Sequence, residues 1–119
     1  MATSTIGRNK PPKVDVYPIR IDYTQPGAGY WAGETLTVPV TDGDRVIVTM
    51  LATGSGQFAR TLVGNNTGVY IQDGPNISMC TGEVINVIVR NGDTTISFSS
   101  YANSEITVKL AVLTVIHAE

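Results

Sequence analysis

Asn91-Gly92, set between EVINVIVR and DTTISFSSY, constrains this chain more than any other pair of residues. A two-residue type I′ turn needs positive φ at both central positions, and Asn-Gly adopts that conformation with the least strain. Closing the turn predicts a hairpin over Glu83 to Tyr101 in which Arg90 faces Asp93, Val89 faces Thr94, Val87 faces Ile96 and Ile85 faces Phe98. One face would then carry Ile85, Val87, Val89, Ile96 and Phe98, and the other would set Val84, Asn86 and Ile88 opposite Ser99, Ser97 and Thr95. A slip of one residue would put Asn86 against Phe98 and erase the apolar stripe, so the register is specified.

The rest of the chain follows the same alternation. Val14 to Tyr23 reads as a strand whose apolar parity changes at Tyr17-Pro18, where a bulge would restore the facing. Thr24 to Gly29 is a loop leading to Tyr30-Trp31. In Thr35 to Val40, Leu36, Val38 and Val40 share one side, and Pro39 marks an edge strand. Asp42-Gly43 is a second hairpin turn. Arg45 to Ala52 is apolar on both faces, with Val46, Val48 and Met50 against Ile47 and Leu51; such a strand is central and covered on both sides, or it faces a subunit. Shorter strands are expected at Gln57 to Val63, Val69 to Gln72 and Ile77 to Cys80. In the last and longest strand, Ile106 to Ile116, the expected core face is Ile106, Val108, Leu110, Val112 and Ile116, with Ala111, Leu113 and Val115 behind.

No ten-residue segment combines helical periodicity with caps. The fold class is therefore all-β: an antiparallel β-sandwich of eight or nine short strands, jelly-roll-like, preceded by an extended N-terminal arm. The arm takes residues 1–13 and the sandwich domain residues 14–119. An immunoglobulin-like sandwich is the competing topology, and turn spacing does not separate the two.

Charge bounds the partners. Only 15% of the 119 residues are charged while 42% are apolar, against about 25% charged in an ordinary soluble domain. Either another molecule covers part of the exterior, or the surface is built from Thr, Ser and Asn. Residues 1–13 hold Arg8, Lys10 and Lys13 with no acid, leaving five basic and ten acidic side chains for the body. A body of that sign excludes a general nucleic-acid surface. Pro11-Pro12 favours an extended path, so the segment is either a disordered terminus or a stiff basic arm suited to an acidic partner. One cysteine, Cys80, excludes an intrachain disulfide framework. No apolar leader and no span-length run is present, so no secretion signal and no membrane contact are expected, and the chain would be made in a reducing cytoplasm.

Nothing in the pattern builds a reaction centre. His117 is the only histidine, three residues from the end, and Cys80 has no neighbouring cation to lower its pKa. There is no zinc spacing, phosphate loop or dinucleotide fingerprint, so neither catalytic residues, metal nor cofactor is expected. Three acidic turns, at Asp42, Asp73 and Asn91-Gly92-Asp93, would offer Ca²⁺ ligands if they met at one end, although Asp-Gly and Asn-Gly also occur at hairpins for backbone reasons alone. Tyr23, Tyr30, Trp31, Tyr70 and Tyr101 either fill the core or stack on a partner; Tyr30-Trp31, between Gly29 and Gly33, is the candidate anchor.

A compact β-sandwich of this size, with an extended arm, no catalytic set and no export signal, resembles the small decoration (cement) proteins of tailed-phage capsids. That resemblance implies a non-enzymatic virion protein, made in the host cytoplasm. It would bind the outside of the phage head, contact the major capsid protein, bridge its subunits and form dimers or trimers. In that reading Arg8, Lys10, Pro11, Pro12 and Lys13 lie on the shell, Tyr30 and Trp31 touch the partner, and Ile47, Leu51, Leu113 and Val115 make the subunit contact. The alternative is a carbohydrate- or receptor-binding sandwich, a lectin-like module or tail-fibre tip, with the acidic turns and Tyr30-Trp31 as its sugar site.

Overall fold

In the computed structural model, residues 13–20, 23–25, 29–30, 36–54, 58–73, 79–102 and 106–118 are described. They form β1 (Val14–Arg20), β2 (Tyr23–Gln25), β3 (Gly29–Tyr30), β4 (Leu36–Pro39), β5 (Arg45–Gly54), β6 (Phe58–Gly64), β7 (Gly68–Asp73), β8 (Met79–Ile88), β9 (Thr95–Ala102) and β10 (Ile106–Ile116). Arg8, Lys10, Pro11, Pro12 and Trp31 lie outside the described residues, and Tyr30 is described through its backbone.

Every pairing is antiparallel. The first sheet runs β1-β10-β5-β8, with β2 continuing beside β10; the second runs β4-β9-β6-β7, with β3 continuing beside β9. The chain is thus a ribbon of nested pairs, β1 with β10, β4 with β9, β5 with β8 and β6 with β7, rolled up by the β10–β5 and β9–β6 contacts. That is a jelly roll, and the order excludes the immunoglobulin-like alternative. Pro39 lies on an edge as expected, because β4 pairs with β9 alone. Pro18 also lies on an edge, and β1 has a bulge, which falls between Pro18 and Arg20 rather than at Tyr17-Pro18. β8 is one continuous strand rather than two, and Gly82, at φ +86°, accompanies its register shift against β5.

The Asn91-Gly92 turn forms as expected, with φ of 58° and 72°, and the Asp93 amide donates to the Arg90 carbonyl at 3.2 Å. Beyond that bond the hairpin does not exist. β8 joins the first sheet and β9 the second, so Val87 pairs with Val46, Ile85 with Val48, and Ile96 with Val38. The Asp42-Gly43 turn captures both strands at the corner: the Val89 amide donates to Asp44 (2.8 Å) and the Val40 amide to Thr94 (3.0 Å). It too links the two sheets. The apolar stripes nevertheless face inward as read, now across the sandwich from one another, with Ile85, Val89, Ile96 and Phe98 buried.

The parity expected for β10 holds at Val108, which is buried, and is reversed beyond it. A bulge between Val108 and Leu110 leaves both Lys109 and Leu110 facing out, so from there on the inward residues are Ala111, Leu113 and Val115. Leu113 and Val115 are 0% exposed and pack with Met50, Phe98 and Leu62 in the core. They therefore cannot form a subunit contact. Ile47 and Leu51 do lie on the outer face, half-buried and 41% exposed respectively.

Candidate functional site

The outer face of the first sheet carries aliphatic side chains on all four strands, most of them on β1, β10 and β5. Its rows, read across β1, β10, β5 and β8, are Val14–Ile116–Arg45–Ile88, then Val16–Thr114–Ile47–Asn86, then Pro18–Val112–Thr49–Glu83. Leu110 and Leu51 pair in the row beyond. Val16 is 58% exposed, Val14 44%, Ile88 43% and Leu110 39%. The charged residues in these rows, Arg45 and Glu83, are joined through Asn86, which accepts from Arg45 (2.5 Å) and donates to Glu83 (3.0 Å). The second sheet presents the opposite chemistry. Its outer rows hold Thr37, Ser97, Val63 and Val69, then Ser99, Thr61 and Gln72, with Thr95 beside Pro39; the Thr37 and Ser97 hydroxyls are 2.8 Å apart. One outer face is suited to water and the other carries contiguous Val, Ile, Leu and Pro, the surface type that marks interaction sites.

The end bearing the two Gly turns is closed by two buried carboxylates, each in the residue after the turn glycine. Asp93 is 1% exposed and accepts from the amides of Asn66 (2.6 Å) and Thr67 (2.8 Å) and from the Tyr70 hydroxyl (2.5 Å). Desolvation opposes its ionisation, but the bonds from Thr67, Tyr70 and Asn66 outweigh it and hold the Asp93 pKa at about 2 rather than 3.8. Tyr70 in turn accepts from the Arg90 amide (2.8 Å), and the Arg90 guanidinium sits 4.3 Å over its ring. Asp44, also 1% exposed, accepts from the amides of Thr41 (2.9 Å) and Ala118 (2.8 Å). Asp42 accepts from the Gly92 amide at 2.8 Å.

His117 joins three elements at this end. Its Nε2 meets Asp15 at 2.7 Å, its Nδ1 meets Asp44 at 3.0 Å, and its amide donates to the Lys13 carbonyl at 2.9 Å. A ring with a carboxylate on each nitrogen is best satisfied as the imidazolium, which donates from both. The bond to Asp15 raises the His117 pKa above 6.5; desolvation opposes this, and the bond to Asp44 and the two negative charges reinforce it. Linkage then gives two edges. The His117 contribution is complete below about pH 6.5 and is lost as pH rises through the raised folded value. The Asp93 contribution is complete above about pH 4 and is lost as pH falls toward 2. Urea midpoints measured against pH should therefore form a plateau between those edges. His117→Gln should flatten the alkaline limb and leave the acid limb in place; an unchanged alkaline limb would remove His117 from this role.

Sequence-predicted residues thus part company. Ile47 and Leu51 belong to the apolar face, while Lys13 is exposed where β1 begins, its carbonyl held by His117. The turn carboxylates of Asp42, Asp44 and Asp93, candidate Ca²⁺ ligands from the sequence, are engaged by backbone amides, and the turn at Asp73 runs outside the described residues. Among the described residues no group of three or more His, Cys, Asp or Glu could hold a metal ion, and no helix is long and apolar enough to cross a membrane. Sequence reasoning missed Asp15, Asp44 and Asp93 as structural hubs, and missed Arg60, which enters the interior at the far end only 2% exposed. The repeated Gly-Asp in both turns was the available signal for two of them.

No protein-family model matches the sequence, and no curated protein matches it. Solved structures do match in fold. The T13 particle of infectious bursal disease virus superposes over 89% of this chain with a TM-score of 0.58 at 14% identity. The VP2 subviral particle of that virus gives 0.56 over 89% at 11%, and its Gx strain 0.58 over 92% at 10%. The chain spans about a third of the length of these virus-particle chains, covering 31% to 33% of each. At such identities the likeness is one of fold: an antiparallel jelly roll.

Proposed function

We propose that this chain is a non-enzymatic structural protein of a virus particle. It acts as a decoration or cement protein that binds the outside of a phage head and bridges capsid subunits. The observation that carries this reading is the two-faced jelly roll, one outer face hydroxyl-rich and the other apolar, on a fold shared with virus-particle proteins. Such a body has a side to seal and a side to leave in water. The partner is the major capsid protein, and the basic arm of Arg8, Lys10, Pro11, Pro12 and Lys13, with Tyr30 and Trp31, makes the attachment. His117 supports that assignment by fixing where the arm leaves the body, through Lys13 and Asp15. The subunit contact retains Ile47 and Leu51, with Leu110 and Val112 replacing Leu113 and Val115 on β10. The protein is made in the host cytoplasm and resides on the capsid surface.

The test is co-sedimentation with empty shells assembled from the capsid protein of the genome that encodes this chain. The full chain should pellet at a fixed ratio to shell subunits. Deleting residues 1–12 should abolish pelleting while leaving the melting temperature unchanged. A full chain that stays in the supernatant overturns the reading, and undiminished pelleting of the truncated chain overturns the role of the arm.

A further inference from the structure

We infer that the apolar outer face of the first sheet is closed by the same face of a second copy, sheet on sheet across a two-fold axis at the β10–β5 seam. This names the subunit contact within the reading above, but it is a property of the purified chain and needs no shell. Four described strands and seven residues along each, at about 4.8 Å and 3.4 Å spacing, give a face of about 450 Å². Two copies would bury about 900 Å², short of the roughly 1,200 Å² of a standard stable interface and in the range of weak, reversible association. The predicted species is therefore a monomer–dimer equilibrium rather than an obligate dimer.

Three observations favour a copy of this chain as the occupant. An isologous contact needs one surface complementary to itself, and along its central seam Leu51 pairs with Leu110, Thr49 with Val112, Ile47 with Thr114 and Arg45 with Ile116, so every pair holds an aliphatic side chain. Its three full rows carry one cation and one anion, Arg45 and Glu83, bridged by Asn86, so these rows meet without net repulsion, and Lys109 stands just beyond them beside Leu110. The arm of the same chain is a poor cover, since residues 1–12 offer Ile6 and Met1 as large aliphatic side chains beside Arg8 and Lys10. The second sheet presents Thr37, Thr61, Ser97 and Ser99 outward and stays in water.

Sedimentation velocity from about 10 µM to 1 mM, bracketing a weak dissociation constant, provides the test. The wild-type chain should shift from monomer to dimer across that range. Leu51→Lys and Leu110→Lys, at positions already 41% and 39% exposed, should keep the wild-type circular dichroism and weaken dimerisation at least about tenfold. Val69→Lys, 55% exposed on the second sheet, should leave it unchanged. A chain monomeric throughout overturns the inference, as does a dimer indifferent to both leucine variants. A monomer that dimerises only after residues 1–12 are removed also overturns it, since the arm would then be the cover. Shell binding with no self-association would leave the virion reading standing and this inference refuted.

Discussion

Leu113→Ala is expected to destabilise the fold by about 3 kcal/mol, and Leu110→Ala, three residues earlier on the same strand, by less than about 1 kcal/mol. The two substitutions remove the same atoms. They differ because the bulge between Val108 and Leu110 turns Leu113 into the sandwich, 0% exposed, and Leu110 out of it, 39% exposed. Deleting Leu113 leaves a cavity among large side chains that include Met50, Phe98 and Leu62, which belong to both sheets and cannot collapse onto one missing group. In a domain of this size about 3 kcal/mol corresponds to a fall of roughly 10 °C in Tm. Urea denaturation of both variants measures the contrast. Equal losses, or a larger loss at Leu110, would mean that β10 runs straight and that the face assigned to self-association is the core.

That contrast also marks how far the residue pattern can be read. Alternation reports which face of a strand is dry, and on that point Ile85, Val89, Ile96, Phe98, Val38 and Val46 all lie where their parity puts them. It does not report which strand lies alongside. Asn91-Gly92 closes its turn with the expected φ values, yet β8 and β9 pair with other partners, because either strand can bury its stripe equally well across the sandwich. Alternation fails on β10 for a different reason. Ala111, Leu113 and Val115 are apolar, but so are Leu110, Val112 and Ile116, and a single extra residue at Lys109-Leu110 decides between them. The same two-sided greasiness made the strand legible as one that faces something on each side. At the turn-bearing end the sequence revealed acidic turns but not their use. Whether a carboxylate after Gly binds a cation or a set of backbone amides depends on loops brought together from residues 26 and 27 positions away, as Asn66 and Thr67 are from Asp93.

Gly64→Ala should be among the most damaging single-methyl additions, costing about 3 kcal/mol or more through overpacking and lost hydrogen bonds. At a strand glycine of ordinary φ the same change normally stabilises slightly, by restricting the unfolded chain and adding strand propensity. Here the new Cβ would stand 2.1 Å from Asp93 Oδ2, 2.6 Å from Asp93 Cγ and 2.6 Å from Tyr70 Cε1. None of those atoms can yield cheaply. The Asp93 side chain is short and held by the Asn66 and Thr67 amides, and the Tyr70 hydroxyl is bound to both Asp93 and the Arg90 amide. Relief therefore means displacing the carboxylate and stranding the donors that surround it. Gly68→Ala, on the far side of the same turn, provides the control. Its φ of +86° imposes left-handed strain of about 1 kcal/mol, but its Cβ would meet nothing within 4 Å. If the carboxylate is what moves, Gly64→Ala should also flatten the acid limb between pH 4 and 2, because Asp93 would no longer be held at about 2. Gly68→Ala should keep that limb. A Gly64→Ala protein within about 0.5 kcal/mol of wild type, the scatter of an ordinary surface substitution, would show that Asp93 is not the fixed point on which this end of the sandwich is built.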